Sequence, residues 1–167
     1  MVLAWWDGNG LAIDGQSGPP AGKDVRMLWH FEMCFLGYAC FNDLSARKFQ
    51  MASDRWALGK NTDSSGPLGP WIVTADEIPN PDQLRIQTRV NGNTVQDGNT
   101  SDLIFSGAKI AAYASGAMTL MPGDLIATGT PDGIGATRKP PMFLHDGDTV
   151  EVEIERIGRI TNRIVAR

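Results

Sequence analysis

Apolar and polar residues alternate with a period of two in two late segments of the chain, and each segment predicts a hairpin. Leu84, Ile86, Thr88 and Val90 are interleaved with Arg85, Gln87 and Arg89; Asn91-Gly92 then offers a two-residue turn suited to positive φ, and Val95 returns the chain. Val150, Val152 and Ile154 alternate with Glu151, Glu153 and Glu155, and Gly158 allows a reversal after which Ile160, Asn162 and Ile164 share a face. Such alternation sends one face to the core and the other to water. Short apolar runs at Tyr38 to Phe41 and Leu125 to Thr128 predict buried strands, and Trp71 to Thr74 predicts a further strand.

Helical spacing is rarer. Met27 or Leu28, Phe31 and Phe35, with Leu36 beside them, predict a helix of about three turns stopped by Gly37. A short helix is expected from Ser45 through Gln50, another over Ser101 to Phe105, and a third over Lys109 to Met118 with Ile110, Tyr113, Ala114 and Ala117 on its buried side. Gly66-Pro67-Leu68-Gly69-Pro70 predicts a fixed turn. Residues 1–25 form an atypical segment: Val2 to Trp6 and Leu11 to Ile13 could pair around an Asp-Gly-Asn-Gly turn, and Gly15 to Gly22 reads as a linker. The fold class that follows is mostly β with short flanking helices, in one domain over residues 26–167. Connections between strands are too short for a doubly wound parallel sheet.

A chain of 167 residues can bury roughly two thirds of its unfolded surface in a single core. Its net charge of −4 argues against nucleic acid, whose phosphates ask for a basic face. The basic run Arg156, Arg159, Arg163 and Arg167 follows three glutamates and reads as a solvated strand face. Cys34 and Cys40 match no zinc spacing and are expected as two buried thiols in a reducing compartment. With neither a secretory signal nor a membrane span in the pattern, a cytoplasmic protein is expected.

Candidate chemistry centres on DLIATGTPDGIG, a strand running into a loop where Gly129, Gly133 and Gly135 free the backbone around Thr130. Pro131 and Asp132 interrupt any dinucleotide fingerprint, and no lysine follows Gly135 as a phosphate loop would need. Asn42 and Asp43 come directly after an apolar strand, from which side chains can be aimed into a cleft. Gln50 and Lys60 are further candidates. Each has a plainer role available: Asp43 as a helix cap, Lys60 as a partner of Asp63, Gln50 as a loop brace and Thr130 as closure of the glycine turn.

The segments YACFNDLSARKFQ, WALGKNTDSSGPLGPWIVTADEI, VNGNTVQDGNTSDLIF, MTLMPGDLIATGTPDGIG and RKPPMFLHDGDTVEVEIERIG resemble consecutive motifs of the fumarylacetoacetate hydrolase family, from about Phe31 to Ile164. The resemblance implies a mixed β-roll, a homodimer, and a bound Mg2+ or Mn2+. It also implies a small 2-oxo acid or diketo acid as substrate, of the acylpyruvate, fumarylacetoacetate or oxaloacetate type. By the same resemblance Asp43 is a metal ligand, and Lys60, Gln50 and Thr130 surround the oxo-acid part of the substrate. The three are therefore expected to converge on one cleft.

Two departures qualify this picture. The family's ExE metal-ligand strand has no counterpart before Asp43, which leaves Asp14 as a weak substitute and His30 or Glu32 to fill missing roles. Lys48 stands where the family motif has an acidic residue. A front part that is shortened or remodelled predicts a weak or absent metal site, because magnesium prefers six oxygens. The expected function is a metal-dependent hydrolase or lyase of small oxo acids. The alternative is a noncatalytic binding or assembly paralogue that keeps the fold.

Overall fold

A computed structural model describes residues 2–5, 34–52 and 54–165. Its strands are β1 (Val2–Trp5), β2 (Phe35–Phe41), β3 (Leu68–Thr74), β4 (Arg85–Val90), β5 (Asn93–Asn99), β6 (Leu125–Ala127), β7 (Thr149–Ile154) and β8 (Gly158–Arg163). The helices are α1 (Arg47–Gln50), α2 (Ala57–Lys60) and α3 (Gly107–Ser115). One sheet has the order β3-β2-β1-β6 and the other β5-β4-β7-β8. Every ladder among the described residues is antiparallel, so the mostly β reading with short helices holds.

The two hairpins form where the alternation puts them. Asn91 and Gly92 both adopt positive φ, 51° and 79°, as a hairpin turn that follows the twist of its strands requires. Along β7 the buried residues are Val150, Val152 and Ile154, and across the ladder Arg89 and Arg159 pair with Glu153 and Glu151 on the wetter face. The sheets meet through β2 and β3 against β7 and β8. Tyr38, Cys40, Val73, Ile154, Ile157 and Ile160 form the centre of that contact. Cys40 is buried, and Cys34 is only partly so. Desolvation pushes the Cys40 thiol pKa up.

An acidic knot closes this hairpin layer. The Asn91 side-chain amide donates to Asp148 at 2.8 Å, the His145 N–H donates to the same carboxylate at 2.7 Å, and the Thr149 N–H donates back to Asn91 at 2.9 Å. Chiefly the Asn91 amide, and then the His145 N–H, hold Asp148 below its ordinary value. A carboxyl depressed in the folded state adds stability above its unfolded pKa of about 3.9, and that stability drains away as pH falls toward the folded value. Asp148→Asn is therefore expected to be less stable than the parent at pH 7 and to lose less on acidification. Urea midpoints measured from pH 7 to pH 3 check this; parallel curves for the two proteins would refute it.

Several expectations are corrected by tertiary contacts. Phe35 and Leu36 belong to β2 and not to a helix, and Gly37 is no helix stop: a Cβ there would run into the Val73 carbonyl of β3. The predicted positions 24–33 lie outside the described residues, as do Leu11 to Ile13 and the 15–22 linker. Val2–Trp5 is a strand, but its ladders run to β2 and β6. Leu125 to Thr128 is not a buried strand; β6 is three residues at a sheet edge with Leu125 half exposed, and only Thr128 is buried. The turn expected at 66–70 is partly strand, since β3 opens at Leu68. The helix expected over Ser101 to Phe105 is one 3-10 turn, Thr100–Asp102, capped by Asn99. On α3, Ser106 caps the first turn and the buried residues are Ala108 and Ala111, whereas Tyr113 is 86% exposed. The small side of this helix is the side that fits against the sheet.

Candidate functional site

The site begins where β2 ends. Asn42 is buried; its N–H donates to the Pro67 carbonyl at 3.0 Å and its side-chain amide donates to Asn162 of β8 at 3.0 Å. This tie between the sheets fixes the backbone that carries Asp43. Leu44 is held in turn by its N–H to the Ser65 carbonyl, and the Ala46 N–H donates to the Gly59 carbonyl at 2.9 Å. Helix α1 consequently lies against α2 with no room to spare. A Cβ on Gly59 would stand 2.5 Å from the Gln50 Cβ and 2.7 Å from its Cα.

That packing gathers a polar group from four stretches of sequence. Gln50 is only 4% exposed, and its Oε1 accepts from Arg47 Nη1 at 2.6 Å. Lys60, at the end of α2, donates from Nζ to Asp43 Oδ2 at 2.6 Å. Ser65 Oγ donates to the Lys60 carbonyl at 3.0 Å, which anchors the end of that helix. Thr130 Oγ1 accepts from Gln96 Nε2 at 2.9 Å. Asp43, Gln50, Lys60 and Thr130 line one cavity of about 1450 Å³. Among the described residues its charged lining is Arg47, Lys60 and Arg163 against Asp43 and Asp63, an excess of cation over anion. A small carboxylate suits such a space, since guanidinium and ammonium donors give charge-assisted hydrogen bonds.

The partner of Lys60 is Asp43 and not Asp63. Both side chains of the pair are partly exposed, and ion pairs of this kind contribute about 0–1 kcal/mol. Exchange of Asp43 for an incoming carboxylate is therefore cheap for Lys60. The same pairing bears on a divalent cation. One oxygen of Asp43 is already engaged, and among the described residues no three His, Cys, Asp or Glu side chains group around a possible ion. These residues alone do not fit a hard cation that prefers six oxygens. Asp14, His30 and Glu32 lie outside the described residues.

Arg47 and Gln96 escaped notice as candidates. Arg47 was legible in principle, being three residues before Gln50 on a short helix, where side chains meet. Gln96 carried no such signal, because its partner is 34 residues away. Arg163, read as part of a solvated face, is exposed and also lines the cavity.

The profile described as fumarylacetoacetate (FAA) hydrolase C-terminal matches residues 23–165. The chain is 47% identical over 166 residues to the mitochondrial oxaloacetate tautomerase Fahd2a of Rattus norvegicus, an alignment covering 88% of this chain and 52% of that protein. Among solved structures, a fumarylacetoacetate hydrolase from psychrophilic Exiguobacterium antarcticum superposes with a TM-score of 0.81 at 40% identity, over 84% of this chain and 50% of the other. A maleylpyruvate hydrolase from Sphingobium sp. SYK-6, in complex with manganese(II) ion and pyruvate, gives 0.75 at 31% identity, over 98% and 52%. The chain thus spans about half the length of the curated relatives it matches.

The cytoplasmic expectation is corrected by these matches, because the rat protein and further relatives at 45–47% identity are named as mitochondrial. Composition could not have decided this, since a folded core obeys the same physics in either compartment. Motif order, antiparallel two-sheet architecture and a profile match across most of the chain agree: the protein belongs to the fumarylacetoacetate hydrolase family.

Proposed function

We propose that this chain binds a small 2-oxo or diketo acid by its carboxylate end, with turnover limited by the cation site, which the described residues do not complete. The observation that carries the reading is the exchangeable Lys60–Asp43 pair opening on the same cavity as Arg47, Gln50 and Thr130. Lys60 would leave Asp43 for the ligand carboxylate, Arg47 would add a second cation held in place by Gln50, and Thr130 would meet a remaining ligand oxygen. Water is displaced from around these groups as the acid enters, which strengthens each contact. A Mg2+ or Mn2+ ion, when supplied with ligands beyond Asp43, would stabilise enolate charge on a bound oxo acid.

Titration calorimetry with pyruvate, oxaloacetate and acetylpyruvate tests the reading. The parent is expected to bind at least one of them, and Lys60→Met to weaken that binding tenfold or more, in line with about 1.5–3 kcal/mol for a hydrogen bond to a charged group. Equal affinity in the two proteins would sink it. A second reading, oxaloacetate tautomerisation, is supported by the 47% identity to the rat protein. The same samples, followed by the decay of enol absorbance with and without manganese, separate it from simple binding. Catalysed decay that Lys60→Met abolishes favours the tautomerase.

Assembly as a homodimer is part of the proposal. Tyr113 on α3 and Met118, Met121 and Leu125 shortly after it are exposed large apolar side chains, and contiguous exposed apolar surface commonly marks a contact site. Light scattering that gives a monomer mass at high concentration would remove it.

A further inference from the structure

We propose that Gln96 is a positioning residue that fixes the direction in which the Thr130 hydroxyl donates, so that Thr130 offers its proton to an oxygen of the bound acid. The inference rests on the oxo-acid reading of the cavity and adds a residue to it. It starts from an irregularity in β5. Thr88 pairs with Gln96 while the next residue, Arg89, pairs with Thr94, so Val95 is an extra residue bulged out of the ladder. A bulge re-aims side chains. Here two consecutive residues, Val95 and Gln96, both line the cavity.

The bulge also releases a carbonyl. Arg138 donates from Nη2 to the Val95 oxygen, and from Nε to the Gly133 oxygen at 3.1 Å. Gly98 lets Pro131 come close, since a Cβ there would lie 2.9 Å from the Pro131 ring. Gly133, at φ 101°, has the Val95 carbonyl where a Cβ would stand. The loop from Thr130 to Gly135 is thereby seated on β5, the outer strand of its sheet. Docking covers an edge that would otherwise present unpaired backbone groups.

Within this seat the hydrogen-bond chemistry has one solution. Gln96 Nε2 lies 2.8 Å from the Pro131 carbonyl and 2.9 Å from Thr130 Oγ1. A carbonyl only accepts, so the atom facing Pro131 must be the amide nitrogen, and the usual ambiguity of amide orientation is removed. The amide has two protons, one for each oxygen. Thr130 Oγ1 is then the acceptor toward Gln96, and its own proton must point elsewhere. Thr130 is exposed to the cavity it lines, so the O–H is directed at whatever oxygen occupies that space.

A double-mutant cycle isolates the link. In pyruvate titrations, Gln96→Leu and Thr130→Val are each expected to weaken binding about tenfold, and the double variant also about tenfold, because Gln96 acts through the hydroxyl. Gln96→Glu, which cannot donate when ionised, is expected to bind pyruvate more weakly than Gln96→Leu, whereas Thr130→Ser keeps the parent affinity. Losses that multiply to about a hundredfold in the double variant, or a Gln96→Leu protein that binds as the parent does, overturn the proposal. A second readout needs no ligand: by NMR, both Gln96 side-chain amide protons are expected to exchange slowly in the parent, and one of them to become fast in Thr130→Val. Unchanged exchange in that variant overturns the link. If the parent binds no oxo acid, the functional reading has failed, and the exchange measurement still decides whether Gln96 holds Thr130.

Discussion

Gly59→Ala is expected to weaken pyruvate binding more than tenfold and to lower stability by about 1–3 kcal/mol, the range for a methyl forced into a packed site. The added Cβ would face the Gln50 Cβ at 2.5 Å and the Gln50 backbone nitrogen at 2.7 Å, separations that real Cβ atoms do not sustain. Backbone cannot rotate out of the way as a long side chain can, so α1 must move off α2. That motion carries Gln50 and Arg47 away from Lys60 and strains the Ala46 N–H bond to the Gly59 carbonyl. The natural control is Leu58→Ala in the same helix, where the side chain is largely exposed and the substitution should leave binding as it is. Calorimetry and thermal unfolding on the two variants decide the matter. Parent-like pyruvate affinity in Gly59→Ala would show that the α1–α2 contact does not shape the site.

The largest effect on stability alone is expected at Ile154. This side chain is 1% exposed and sits in the core shared by both sheets, with Ile86 opposite it on β4 and Gly158 opposite it on β8. Truncation to alanine removes buried methyl groups and leaves a space that the ladder on either side prevents from collapsing, a combination that costs about 2–5 kcal/mol. For a chain of this size that corresponds to a fall in Tm of roughly 4–20 °C. Ile104→Ala provides the contrast. Ile104 is 89% exposed, and the change should stay within about 0.5 kcal/mol. Similar losses at the two positions would contradict the placement of the core between the sheets.

The residues that behave as their sequence implies are those whose instructions are local. Asn91-Gly92 reverses the chain because asparagine and glycine tolerate positive φ, and the strands on either side then pair in the nearest register. Val150, Val152 and Ile154 find the core for an equally local reason: alternate residues of a strand face opposite ways, and only one set is apolar. The family motifs, too, could be read without coordinates, and they brought Asp43, Gln50, Lys60 and Thr130 together before any distance was known.

Tertiary structure decided the rest. Nothing in Val2–Trp5 specifies that it lies between β2 and β6, because backbone pairing over such separations depends on which edges the rest of the chain leaves open. Phe35 and Leu36 have helical spacing, yet a strand with neighbours on both sides gains more from ladder hydrogen bonds and burial than a few tenths of a kcal/mol of propensity can oppose. Lys60 could have paired with Asp63, close in sequence, but the packing of α2 beside the end of β2 delivered Asp43. The tie from Gln96 to Thr130 spans 34 residues and depends on a bulge at Val95. In the two hairpins, periodicity determined which strands form and which face is dry; the direction of a hydroxyl or the choice of a counter-ion was set only when distant segments met, because contacts of that kind have no period to be read.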